Sequence, residues 1–180
     1  MSRRVEIAPP DPAWPERAAA EIARFQMAVG RPGLIAIHHI GSTSVPGLGA
    51  KPLIDLMPEV EGLEVIDRAR GAIEAAGYGF WGEYGIEGRR FCPRIAPDGT
   101  RLANVHCFAS GDPGLVRHLA FRDYLRAHPE IASAYADEKR RCAALHPGDP
   151  AAYSEAKGAF VKRVEAEALA WQRGGEAPEP

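Results

Sequence analysis

A chain of 180 residues with 46% hydrophobic content can bury one core, or a small α/β core with a helical appendage, which excludes a disordered chain. Its 22 Lys and Arg against 24 Asp and Glu give a formal net charge of -2, which excludes a global basic field that would recruit nucleic acid or an anionic membrane. Three cysteines, Cys92, Cys107 and Cys142, without CxxC spacing exclude a zinc knuckle and a disulfide framework, and point to reduced thiols in a cytoplasm.

Arg3 and Arg4 have no apolar segment behind them, and no apolar run reaches the ~20 residues of a membrane span, so a soluble, untargeted, cytoplasmic chain is expected. Asp11-Pro12 starts a helix whose apolar positions, Trp14, Ala18, Ile22, Phe25 and Val29, recur until Gly30 and Pro32 stop it. Leu34 to Ile40 reads as a strand, and alternation sends His38 and His39 to opposite faces. After a Gly/Pro-rich loop, Leu53 to Met57 reads as the neighbouring strand, which Pro58 ends or marks as an edge. Gly62 to Ala76 is a covering helix closed by Gly77, and Tyr78 to Trp81 a short strand. A Gly-rich loop then exposes Glu83, Glu87, Arg89 and Arg90. Arg90 to Ile95 and Arg101 to Phe108 flank Pro97-Asp98-Gly99-Thr100 as a hairpin. From Asp112 the pattern turns helical, with breaks at His128-Pro129 and Pro147-Gly148 and a last helix from Asp149-Pro150 to Trp171. The expected class is therefore α+β, with a mixed α/β core over 1–111, a helical region over 112–173 and a tail over 174–180.

The chemistry centres on the stretch from Gly41 to Asp55. Gly41, Ser42 and Thr43 at the end of a strand have the geometry in which backbone N–H groups and hydroxyls hold phosphate oxygens; the alternative is a plain turn. Asp55, flanked by Leu53, Ile54, Leu56 and Met57, asks for a cation, either Mg²⁺ shared with phosphates or a partner such as Lys51. His118 and Arg122 share a helix face that either holds a phosphate or ties the helical half to the sheet through an Arg122 salt bridge. Arg90 either adds charge to the cleft or is soluble surface.

The motifs HIGSTSVPGLGAKPLIDLM and HLAFRDYLRAHPE, with Tyr135, Lys139, Tyr153 and Lys157, resemble the GrpB family from roughly Val5 to Trp171. That family is placed among the nucleotidyltransferase superfamily. The resemblance implies a small mixed β-sheet of nucleotidyltransferase-like topology with a C-terminal helical bundle closing over a cleft. It further implies a nucleoside triphosphate as substrate, with phosphate and base contacts from Lys139 and Lys157. The superfamily pattern is Gly-Ser, a carboxylate pair on the next strand, and a third carboxylate on a later one. Gly41, Ser42 and Asp55 match, but Met57 occupies the second carboxylate position and His106, flanked by Asn104, the third. A thioether cannot replace a hard oxygen ligand for Mg²⁺. Asp55, His106 and His39 remain as a two-His-one-carboxylate set for a transition metal, or as one carboxylate beside two buried histidines.

Three readings follow. One is a nucleotidyltransferase using Mg²⁺ or Mn²⁺ on Asp55, with His106 or His39 as base and a small-molecule acceptor. Another is a degenerate member that binds a nucleotide without turnover. The third is a metal-dependent enzyme built on His39, Asp55 and His106. No RNA-binding motif supports a nucleic-acid partner, and oligomeric state is not encoded in any motif.

Overall fold

In the computed structural model, which describes residues 5–174, the apolar repeat after Asp11 forms helix α1, Trp14–Val29. Asp11 Oδ1 accepts from the Ala13 amide at 2.8 Å, and Gly30, at φ 80, ends the helix. Strands β1 (Leu34–Ile40), β2 (Ile54–Val60), β3 (Arg89–Ile95) and β4 (Arg101–Ala109) form one four-stranded sheet in the order β1-β2-β4-β3. β2 runs parallel to β4, and the other two pairings are antiparallel, so the sheet is mixed and the fold is α+β.

The register fixes which side chains meet. Ile40 lies opposite Asp55, Asp55 beside Asn104, and Phe91 opposite His106. Paired residues share a face and neighbours alternate, so Ile40, His38, Asp55, Met57, Asn104, His106, Phe108 and Phe91 all belong to one face. The reverse face carries Leu56, Val60, Val105, Cys92 and Cys107. It is covered by Trp14 and Phe25 of α1 and by Ile66 and Ile73 of two short helices, α2 (Glu64–Arg68) and α3 (Arg70–Ala75).

The helical half consists of α4 (Pro113–Ala127), α5 (Pro129–Leu145), α6 (Pro150–Ala156) and α7 (Gly158–Gln172). α4 starts where Asp112 Oδ1 accepts from the Gly114 amide, and Pro129 and Pro150 open the next helices at positions that need no N–H donor. Helices α4, α5 and α7 bury a cluster that includes Tyr124, Tyr135 and Val164, and into it project Val45 and Leu48 of the β1–β2 loop. That loop is thus packed on the helices, which places the Gly-Ser stretch between the two halves.

Several elements depart from the sequence reading. Pro58 neither ends β2 nor marks an edge: it sits opposite Ile37 in an interior strand. Its missing N–H falls where the ladder to β4 lapses, between Leu56 and Glu59. Tyr78 to Trp81 lies along β3 through the bridge of Tyr78 with Arg94 and backbone bonds from Gly79 to Pro93 and from Trp81 to Phe91, without extending into a full strand. The covering helix is interrupted at Ala69, and the last helix at Lys157, just before Gly158 weakens helix continuation. β3 begins at Arg89, one residue before the expected start at Arg90, so Arg89 belongs to the strand and not to the exposed loop. Arg3, Arg4 and the tail beyond Gly174 lie outside the described residues. Among the described residues, no helix is long and apolar enough to cross a membrane, and the three cysteines are buried and free.

Candidate functional site

β1 ends at Ile40, and Gly41, at φ 70, turns the chain into the 3-10 turn Ser42–Ser44. Ser44 Oγ closes the turn by donating to the Gly41 carbonyl at 2.6 Å. Two arginines of α4 clamp it: Arg126 donates twice to the Ser44 carbonyl (3.0 and 2.7 Å), and Arg122 Nη1 donates to the His39 carbonyl at 3.2 Å. Arg122 also forks onto Asp123 of the same helix at 2.7 and 3.1 Å, so α4 is tied to β1 by the bond to the His39 carbonyl and not by a salt bridge to the sheet. Glycine is required at 41 on two counts, since a Cβ there would stand 2.7 Å from Asp55 Oδ2 on a backbone that side chains rarely adopt. Gly41→Ala is therefore expected to destabilise by about 1–3 kcal/mol and to displace Asp55, measurable as a lower denaturation midpoint. A variant with an unchanged midpoint contradicts this close approach.

Six of the candidate residues, Ser42, Thr43, Lys51, Asp55, Lys139 and Lys157, line one cavity of about 850 Å³. They arrive from the β1–β2 loop, β2, α5 and the joint between α6 and α7. Two ammonium groups approach the Tyr153 ring, Lys51 Nζ at 4.3 Å and Lys157 Nζ at 5.2 Å from its centroid. Lys139, only 2% exposed, donates to the Gly49 carbonyl and sits 4.7 Å from the Tyr135 ring. Burial, then repulsion from Lys157, pushes Lys139 down to about 7; the same two causes lower Lys51. Burial raises the phenols of Tyr135 and Tyr153 to about 12, so both remain neutral partners of the cations. On the floor, Asn104 Nδ2 donates to Asp55 Oδ1 at 2.9 Å, and His106 Nε2 lies 3.7 Å from the same oxygen.

The other candidates are placed elsewhere. His39 pairs with Leu56 and so faces away from Asp55; its Nε2 meets Thr43 Oγ1 at 2.9 Å, and burial pushes its pKa down to about 4. The histidine that shares the Asp55 face is His38, which bonds Glu59 at 3.2 Å. His118 donates from Nδ1 to the Gly114 carbonyl at 2.6 Å, and burial lowers it to about 4 beside His106 and Phe108. Arg90 points to the reverse face and forks onto Asp67 of α2 at 2.6 and 2.9 Å. His106 Nδ1 accepts from Arg89 Nη1 at 3.1 Å. A guanidinium only donates, so the His106 proton sits on Nε2, toward Asp55. Neither nitrogen is then available as a base.

These placements test the metal sets. Met57 lies on the Asp55 face, where a second carboxylate would stand, but it is 0% exposed and sealed by Ile40, Phe108 and Leu115. A two-metal arrangement does not fit that apolar position. The His39–Asp55–His106 set is not assembled either, because His39 occupies the wrong face; among the described residues no group of three His, Cys, Asp or Glu converges to hold a metal ion. A single hard cation held by one carboxylate, waters and phosphate oxygens remains compatible with Asp55. Asn104, Arg101 and Tyr153 line the cavity as well. Asn104, which flanks His106 at the third-carboxylate position, lies in register with Asp55, a pairing across 49 residues that no local signal marks.

The family model described as GrpB protein matches residues 4–167. The UPF0157 protein YqkA of Bacillus subtilis is 42% identical over 172 residues, which is 96% of this chain and 49% of YqkA, so the chain spans about half that relative's length. The crystal structure of conserved protein GrpB from Enterococcus faecalis matches with a TM-score of 0.87 at 37% identity, covering 93% of this chain and 99% of that one. The Cid1 poly(U) polymerase, in its Mg 3′-dATP-bound structure, matches with a TM-score of 0.55 at 10% identity, over 85% of this chain and 49% of that one. This last likeness shows a shared nucleotidyltransferase-like fold.

Proposed function

The chain belongs to the GrpB family, and from that premise we propose that its cavity binds a nucleoside triphosphate, with one Mg²⁺ or Mn²⁺ between Asp55 and the phosphates, without two-metal nucleotidyl transfer. One observation carries this reading: Lys51, Lys139 and Lys157, from three distant stretches, converge beside Ser42 and Thr43 on a cavity floored by Asp55. Three ammonium groups at close quarters oppose one another's charge, and a polyanion relieves that opposition. Ser42, Thr43 and the turn amides supply donors of the kind that hold phosphate oxygens. A bound cation would neutralise charge on the phosphate oxygens facing Asp55.

A second reading, nucleotidyl transfer to a small acceptor with a single metal, draws on the retained order Gly41, Ser42, Asp55. It must do without a histidine base, since His106 is committed to Arg89 and Asp55 and His39 faces away. The two readings separate in one experiment: calorimetric titration of the protein with ATP, CTP, GTP and UTP in Mg²⁺, paired with an assay for pyrophosphate release over a pool of small hydroxyl and amine acceptors. The binding reading expects saturable affinity and no pyrophosphate; release of pyrophosphate moves the assignment to the transferase. Failure of every triphosphate to bind sinks both.

Asp55→Asn is expected to weaken triphosphate binding about tenfold in Mg²⁺ and to make it no weaker in EDTA, because it removes the cation's protein ligand together with a carboxylate charge that opposes the phosphates. Equal losses in both conditions would show that Asp55 acts on the fold rather than on a metal.

A further inference from the structure

Asp55 has a second neighbourhood, on the β3 side of the sheet. Phe91 stands opposite His106 with ring centroids 5.1 Å apart. On Phe91 lie two aromatic rings from the loop before β3: Tyr84, stacked at 5.2 Å and 14°, and Trp81, edge-on at 5.8 Å. Phe91 is buried, but Tyr84 is 60% exposed and Trp81 37%. Tyr84 is held at φ 45, which a residue with a Cβ rarely adopts. The buried Arg89 enforces this by donating to the Tyr84 carbonyl at 2.8 Å and to the Glu83 carbonyl at 3.1 and 3.2 Å. Such backbone strain persists only where its surroundings over-determine it. Here they do so to keep an aromatic ring half in water.

Arg101 borders this platform, its guanidinium 5.1 Å from the Trp81 ring and 5.8 Å from Phe91. It lines the lysine cavity too. Its side-chain hydrogen bond is a long one, 3.5 Å to Asn104 Oδ1, and it forms no ion pair with a carboxylate among the described residues. A guanidinium with no carboxylate ion pair among the described residues, beside exposed, stacked rings, has the chemistry to take a flat π-system and an attached anion together.

We propose that Trp81, Tyr84 and Arg101 form a subsite for a planar heteroaromatic ring that carries an anionic group, adjoining Asp55 at the Arg101 edge of the lysine cavity. The aromatic rings are evidence apart from the triphosphate reading, and Arg101 is shared with it. The ring stacks on the open aromatic surface, and Arg101 takes the anion.

The test uses the full chain labelled with ¹⁵N. Its three tryptophans give three indole N–H signals, and Trp81→Phe identifies the one from position 81. Titration with AMP is expected to move that signal saturably, adenosine to do so about tenfold more weakly, and ribose 5-phosphate to leave it in place. Combining Trp81→Leu with Tyr84→Ala should weaken AMP binding about tenfold or more, followed by calorimetry. Arg101→Ala should bring AMP down to the affinity of adenosine. Lys157→Ala should weaken ATP while AMP still moves the Trp81 signal, so failure of the lysine cavity and failure of the ring subsite are told apart. AMP binding that persists at saturating Mg·ATP assigns the ring to a second molecule, and competition assigns it to the triphosphate's own base; both results keep the subsite. The proposal is overturned if ribose 5-phosphate moves the Trp81 signal as AMP does, if millimolar AMP moves nothing there, or if AMP affinity survives the aromatic substitutions.

Discussion

Met57→Glu is expected to lower the unfolding free energy by about 3–5 kcal/mol, a fall of roughly 10 °C in Tm for a chain of this size, and to create no second metal site. The substitution restores on paper the carboxylate pair of the superfamily. In the fold, however, position 57 is fully enclosed by Ile40, Phe108 and Leu115, and its cross-strand neighbour His38 is already bonded to Glu59. A carboxyl placed there loses its hydration among apolar side chains, and takes up a proton rather than hold a charge, which caps the loss. Met57→Leu, which keeps the volume apolar, should cost less than about 1.5 kcal/mol. Denaturant unfolding of the two variants reads the difference directly. A glutamate variant as stable as the parent, or one that binds a second Mg²⁺, would show that the cluster opens and that the site is a dormant two-metal centre.

That contrast bears on what the amino-acid sequence made legible. Identity signals that act locally were readable: Asp11 and Gly30 bracketing α1, Asp98-Gly99 turning β3 into β4, and prolines 129 and 150 opening α5 and α6. The vacancy at position 57 came only from the family resemblance, whose pattern expects a carboxylate there; alternation adds that a residue two beyond Asp55 on a strand shares its face. Alternation also separated His38 from His39, but it could not say which of them joins Asp55. That depends on the pairing of Ile40 with Asp55, and a slip of one residue exchanges the two histidines. The same single-residue choice governs Arg89 and Arg90, of which the first reaches His106 and the second Asp67. Asn104 was hidden for a different reason, since the parallel pairing of β2 with β4 is non-local and leaves no spacing to read. Lys139 is the opposite case. Neither helical periodicity nor propensity singles out a lysine beside a tyrosine on a helix, and only the family resemblance pointed to it; its burial depends on α5 packing against the Gly49 stretch.

Above pH 7.5, where a triphosphate is already fully ionised, its affinity for this protein is expected to fall about tenfold per pH unit as Lys139 loses its proton. In the free protein Lys139 titrates near 7, because burial and Lys157 oppose its charge. Phosphate oxygens beside it favour the ammonium form, so the bound-state pKa is higher and binding takes up a proton. The affinity is therefore full below the free-state value and is lost as pH rises above it, until the bound-state value is reached. For the unliganded fold the sign is reversed. An unfolded lysine keeps its proton up to about 10.4, so between roughly pH 7 and 10 the unfolded state binds more protons, and this group's contribution makes the native state more stable as pH rises. The two slopes run in opposite directions over the same window, which separates a ligand-linked lysine from a general loosening of the protein at alkaline pH. Calorimetry at pH 8.5 in two buffers of different ionisation enthalpy should count an uptake approaching one proton per triphosphate bound. Lys139→Met should bind more weakly and with a flat profile between pH 7.5 and 9. A wild-type profile equally flat, with no proton taken up, would mean that Lys139 serves the Gly49 loop alone and that Lys51 and Lys157 carry the anion without it.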